Sequence, residues 1–205
     1  MPKKKYVSFL IAAGLIAAVA GAWLARELRA PVVPTLQSGT WLPSPRTLPT
    51  FQLLDERGAP AGKSALTGHP SLVFFGFTHC PDVCPTTLTL LTQAQQELGV
   101  ANLKVVLVTV DPERDTPPQM ARYLQAFHGD TLGLTGSPDE LGRLRRQLGV
   151  AAARTDMPGG DYMIDHSATV FLLDAAGDNV AIFTPPFDRE RLVADLRASL
   201  DYLGS

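Results

Sequence analysis

Two hundred and five residues, 45% hydrophobic and 19% charged, suffice for one globular domain with a short extension, not for two large domains. That composition excludes a disordered chain, and a formal net charge of −2 excludes a nucleic-acid binder that works by bulk positive charge. The charge is unevenly spread. Residues 1–30 hold five of the 18 basic residues (Lys3, Lys4, Lys5, Arg26, Arg29) and a single acid, Glu27, which leaves 13 basic against 19 acidic groups beyond them. Two cysteines cannot form a disulfide framework, so any role they have is local.

The three lysines precede Val7 to Ala25, 19 residues without a charge. As a helix this run would span roughly 29 Å, one hydrocarbon core. The lysines and the α-amino group outweigh Arg26 and Arg29, which keeps the N-terminus cytoplasmic and exports the rest. A cleaved signal peptide is the alternative, with Ala18-Val19-Ala20 or Ala20-Gly21-Ala22 as its cleavage site. The apolar run is longer than an ordinary signal core, which favours an uncleaved transmembrane helix. The segment has no cysteine for a lipid anchor. Residues 1–29 are therefore read as a membrane anchor or signal segment.

Residues 30–49 contain prolines 31, 34, 43, 45 and 49 and no helical or strand period. They are expected to be an extended, semi-rigid linker. The remainder, 50–205, is expected to be one domain.

Phe51 to Leu54 is a short strand candidate with Glu56-Arg57-Gly58 as its turn. Ser71 to Phe77 carries the continuous apolar run Leu72-Val73-Phe74-Phe75-Gly76-Phe77, the pattern of a strand buried on both faces. Thr86 to Leu98 has helical spacing and stops at Gly99, and Leu103 to Val110 is a second buried strand. Thr116-Pro117-Pro118-Gln119 fits a capping box that opens a helix to about Phe127, and Ser137-Pro138-Asp139-Glu140 repeats the device. Thr169 to Leu173 and Asn179 to Phe183 fit a hairpin, and Asp188 caps a last helix to about Tyr202. Buried strands alternating with helices predict an α/β three-layer sandwich, and the late hairpin makes its sheet mixed.

The chemistry belongs where the first buried strand ends, in Phe77-Thr78-His79-Cys80-Pro81-Asp82-Val83-Cys84-Pro85. Pro85 predicts that the helix starts there, with Cys80 to Cys84 as a tight turn ahead of it. Free N–H groups and the positive helix end would then favour thiolate at both sulfurs. Two inert structural cysteines are a poor fit for a proline-flanked pair at such a junction. A dithiol exchanging with other disulfides and a soft-metal site both remain open. Two thiolates suffice for Cu(I), whereas a site that also takes Cu(II) wants an imidazole. Of the four histidines, His69 and His128 read as solvated, and His79 points away from its neighbour Cys80. His166, in Tyr162-Met163-Ile164-Asp165-His166-Ser167, precedes a strand whose leading loop would lie against the cysteine turn in a thioredoxin-type sheet.

Three blocks in order resemble the Sco family of copper chaperones, also called SenC: residues 76–88 around the cysteines, Val110-Asp111-Pro112-Glu113-Arg114-Asp115-Thr116-Pro117, and Asp165-His166-Ser167. The likeness runs over about residues 40–203, and the anchor and proline-rich linker are similar to those of bacterial members. It implies a thioredoxin-like fold behind one transmembrane helix, in the bacterial inner membrane with the C-terminal domain in the periplasm. It implies that Cys80, Cys84 and His166 bind copper as Cu(I) or Cu(II). The implied task is assembly of the dinuclear copper centre of cytochrome c oxidase, with the oxidase's copper-bearing subunit as partner. A periplasmic copper donor and a thiol reductant are implied as further partners.

Asp111 and Asp115 read first as turn and cap residues and second as groups that dock a partner or support the copper site. Asp82 and Asp165 read as electrostatic tuning groups. The alternative function is a thiol–disulfide oxidoreductase, with Cys80 and Cys84 catalytic, that reduces the oxidase subunit before metallation. The proline that thioredoxin-type enzymes carry before the facing strand is missing, since Ser167-Ala168 stands there. A thiol peroxidase would want an arginine beside its nucleophile, and none is adjacent.

Overall fold

A computed structural model describes residues 14–21, 23, 33–100, 102–127 and 129–204. The chain divides into two compact units, 1–33 and 34–205. In the first, residues 14–21 and 23 are helical. The rest of the expected 7–25 span lies outside the described residues, and among those described no helix is long and apolar enough to cross a membrane.

The second unit runs β1 (Gly39–Thr47), β2 (Leu53–Asp55), β3 (Pro60–Ala61), a 3₁₀ turn (Lys63–Leu66), β4 (Ser71–Gly76), α1 (Val83–Leu98), β5 (Lys104–Thr109), α2 (Pro117–Leu124), β6 (Thr131–Thr135), α3 (Pro138–Gln147), β7 (Ala152–Asp156), β8 (Tyr162–His166), β9 (Val170–Leu173), β10 (Asp178–Phe183) and α4 (Arg189–Leu203). Eight strands form one mixed sheet in the order β1-β10-β9-β4-β5-β6-β2-β3, and β7 and β8 form a separate pair. Among the described strands only β4–β5 and β5–β6 are parallel, which fits two helical crossovers. Alternation along the central strands feeds two cores. Leu72 and Phe74 face Leu88 and Leu91 of α1, Met120 of α2 and Leu196 of α4, while Val73 and Phe75 face Leu141 and Leu144 of α3. The expected sandwich with a mixed sheet is the architecture found.

The linker reading of 30–49 fails at β1. Residues 39–47 pair antiparallel with β10, and Leu42 and Leu48 are buried. Prolines 43 and 45 are tolerated because β1 is an edge strand whose register shifts between Trp41 and Arg46, so neither proline owes a ladder hydrogen bond. The segment is held at its start by Asp195 of α4. That buried carboxylate accepts the amides of Gln37, Ser38 and Gly39 at 2.7, 2.7 and 3.0 Å and the Ser38 hydroxyl at 2.8 Å.

Other boundaries shift for local reasons. Helix α1 starts at Val83 rather than Pro85, because a proline within the first helical turn gives up an amide that has no intrahelical acceptor. Thr116 precedes α2 without a side-chain cap, and α2 stops at Leu124, short of Phe127. Ser137 and Asp188 do cap, accepting the amides of Glu140 and Arg191.

Replacing Asp195 by alanine would leave three amides and a hydroxyl without their acceptor. The expected cost is about 2 kcal/mol of stability, read from the midpoint of urea unfolding at unchanged slope.

Candidate metal centre

The parallel register aligns Gly76 with Thr109, so the loops after β4 and β5 leave the sheet at one edge. Gly76 is required there. A Cβ on it would stand 3.1 Å from Cys84 Sγ and 2.8 Å from Phe74 Cε1, so its hydrogen makes room for the sulfur. Cys80 is half-buried in the loop and Cys84 is fully buried in the first turn of α1, and both are free thiols. The Cys84 amide, left over at the helix start, donates to Cys80 Sγ at 3.4 Å.

His166 ends β8, opposite Ala152 on β7, rather than lying in a loop as the sequence suggests. Its Nε2 stands 3.4 Å from Cys84 Sγ and its Nδ1 3.2 Å from the Ser167 carbonyl. A carbonyl can only accept, so Nδ1 carries the proton and Nε2 offers its lone pair to the Cys84 thiol. Phe74 and Phe77 meet the imidazole edge-on, with ring centroids 6.0 and 5.8 Å away. Burial holds His166 below the usual imidazole range, which keeps it neutral near pH 7.

The thiolate expected at both sulfurs is disfavoured at Cys84. Burial, followed by the hydrogen bond with Cys80, pushes the Cys84 thiol far above its ordinary range. The helix start does not make Cys84 a thiolate by itself, because desolvation outweighs it. The charged form at this position calls for a cation.

Two buried carboxylates on the loop after β5 organise the surroundings. Asp115 accepts the Thr78 amide at 3.1 Å and the hydroxyls of Thr78 and Thr109 at 2.6 Å each. Burial nevertheless raises its carboxyl above the usual range. Asp111 accepts the Tyr162 hydroxyl at 2.8 Å and the Arg114 guanidinium. Burial and that bond push the Tyr162 phenol up to about 12. The guanidinium carbons of Arg114 and Arg154 lie 3.8 and 3.6 Å from the Tyr162 ring centroid. Two groups that close to one ring centre must occupy opposite faces, so β8 is clamped at its first residue.

The arrangement brings Cys84 and His166 into contact and leaves Cys80 beside them. Among the described residues no three His, Cys, Asp or Glu side chains stand as a ready-made ligand cluster. Thiolate and imidazole bonds to one ion, about 2.3 and 2.0 Å long, hold sulfur and nitrogen ~3.5 Å apart. The Cys84–His166 spacing fits that value. His79 is exposed, with Nδ1 on the Thr78 hydroxyl at 3.0 Å, and His69 is half-buried against Ser71. His128 lies outside the described residues. Asp82 and Asp165 are exposed, and Asp165 acts on His166 only through its charge. Thr78, Thr109 and Tyr162 escaped the sequence reading. Their sole signal was position, next to the cysteine block, the second strand's end and the histidine block.

The SCO1/SenC family model matches residues 42–201. The bovine mitochondrial SCO2 homologue is 39% identical over 155 residues, which cover 73% of this chain and 57% of that protein. The chain thus matches a little over half the length of that relative. The crystal structure of ScoI from Arabidopsis thaliana with copper bound matches with a TM-score of 0.72 at 31% identity, covering 75% of this chain and 98% of that one. BsSco, described as a member of the Sco family of cytochrome c oxidase assembly proteins, shares the fold, with a TM-score of 0.60 at 21% identity over 78% of this chain and 98% of its own.

Asp115→Ala would strip the buried Thr109 hydroxyl and the half-buried amide and hydroxyl of Thr78 of their acceptor, freeing Thr78, two residues before Cys80. A loss of about 3 kcal/mol is expected in chemical unfolding of the reduced protein. By its fold and by the family match over residues 42–201, the chain belongs to the SCO1/SenC family, with that family's thioredoxin-like α/β architecture.

Proposed function

We propose that the protein carries copper on Cys80, Cys84 and His166 and serves assembly of the dinuclear copper centre of cytochrome c oxidase. The observation that supports this most directly is the contact between the buried Cys84 thiol and the half-buried, neutral His166 Nε2. Copper is cargo here. It takes the place of the proton held between Cys84 and His166, which turns the sulfur into a thiolate and leaves Nε2 free to ligate. The Nδ1 bond to the Ser167 carbonyl keeps the ring in the ligating tautomer. Cys80, less buried than Cys84, is where a partner's ligand would first meet the ion. Two sulfurs and one nitrogen accept either copper oxidation state, and three donors release an ion more readily than four.

The remaining parts of the reading follow from the sequence. Residues 1–29 anchor the chain in the bacterial inner membrane, a short proline-containing tether follows, and the domain stands in the periplasm. There an external reductant keeps Cys80 and Cys84 as thiols. A copper donor and the oxidase's copper-bearing subunit are the partners. The dithiol reductase reading draws on the same pair, both free and adjacent, but the stretch before β9 has Ser167-Ala168 where a substrate-binding proline is wanted.

His166→Ala separates these readings. Cu(II) affinity should fall roughly a hundredfold, the equivalent of one ligand bond of ~3 kcal/mol, while Cu(I), content with two thiolates, falls less. Disulfide formation between Cys80 and Cys84 should persist at near its normal rate. Oxidase maturation that survives His166→Ala but fails in Cys80→Ser would refute the copper role of His166.

A reporter domain fused after Ser205 should be active only on the exported side of the membrane. Activity confined to the cytoplasm would overturn the topology.

A further inference from the structure

Helix α2 faces the cysteine loop with two side chains one turn apart. Gln119 donates to the Thr78 hydroxyl at 3.2 Å, two residues before Cys80, and Tyr123 follows at the i+4 position of the same helix face. Tyr123 packs with Cys80 against the core that contains Cys84, and its ring lies tilted on Phe127 at 5.2 Å between centroids. Its hydroxyl is buried and has no hydrogen-bond partner among the described residues. A buried hydroxyl without a partner costs free energy, so its retention calls for an acceptor that is present in another state of the site.

We propose that Tyr123 is a positioning residue for the copper-loaded site, its hydroxyl donating a hydrogen bond to a cysteine thiolate once copper has replaced the thiol proton. This rests on the reading of Cys80 and Cys84 as copper ligands. A neutral thiol is a weak acceptor, whereas a thiolate is a good one, so loading the site supplies the missing partner. Burial, then the charges of Cys84, Cys80 and Asp115, hold the phenol far above its ordinary range, so it remains a donor. The bond should matter more for one oxidation state. Two thiolates with Cu(I) carry a net negative charge that Cu(II) would cancel, and a donated hydrogen bond relieves the more negative site more. Hydrogen bonding to a copper-bound cysteine sulfur is an established lever on copper potentials.

The test is Tyr123→Phe in the reduced full-length protein, which removes the hydroxyl and keeps the ring. Cu(I) affinity, measured by competition with a chromogenic chelator, should fall about tenfold. Cu(II) affinity should fall less, and the sulfur-to-Cu(II) absorption should move to longer wavelength, as expected of a thiolate that has lost a donor. The melting temperature of the copper-free protein should stay the same or rise, because an unpaired buried polar atom is gone.

Unchanged Cu(I) affinity and an unchanged spectrum would overturn the proposal. So would a destabilised copper-free protein, since the hydroxyl would then be engaged without the metal. Cys84→Ser, measured alongside, tells the two layers apart. If it loses copper while Tyr123→Phe has no effect, only the role of Tyr123 falls. If it keeps wild-type affinity, the ligand reading falls and this inference with it.

Discussion

The loop after β5 places two carboxylates where water does not reach, and the candidate site depends on what each one holds. Asp115 collects the amide and hydroxyl of Thr78 together with the Thr109 hydroxyl, which fixes the start of the loop that carries Cys80. Asp111 takes the Tyr162 hydroxyl, which fixes the first residue of the strand that ends in His166. One four-residue spacing thus governs both sides of the site. The cost is electrostatic. Burial raises the Asp115 carboxyl above its ordinary range in spite of three donated hydrogen bonds. A carboxyl raised in the folded state contributes stability at acid pH that is lost as pH rises through its folded value. At neutral pH Asp115 therefore holds the loop at some expense to the fold.

The central architecture was legible in the sequence because it rests on strong local signals. Residues 72–77 are apolar without interruption, and the structure buries all six together with Ser71 ahead of them. Ser137 and Asp188 announced their helices through side chains that do accept the expected amides. What stayed hidden lacks a local signal. Strand β1 carries two prolines, which read as linker, and only its partner β10 and the clamp at Asp195 make it a strand. Strand β6 is five residues long with Gly133 at its centre, where a Cβ would stand 2.8 Å from Leu124 of α2. Strand β7 is exposed after its first residue and β8 is half-buried along most of its length, so no clean apolar alternation betrays the pair. The site shows the same division. The cysteines and His166 stood out by residue type, whereas Thr78, Thr109 and Tyr162 acquire meaning only from what they touch across the fold.

The electrostatics of Cys84 and His166 add a constraint that spacing alone cannot convey. The helix start directs its spare amide at Cys80, the more exposed cysteine, while Cys84 is buried and its thiol held protonated. The same burial holds His166 neutral, so the pair shares one proton in surroundings that resist any net charge. A monovalent soft cation in place of that proton leaves the charge of this contact unchanged, which a second proton, a bare thiolate or a hard divalent ion would not do. If copper binds here as proposed, selectivity at this contact would follow from burial as much as from the softness of sulfur. In the proposed copper site the partly exposed Cys80 would supply the second thiolate and the route in and out, where added charge is cheaper to solvate.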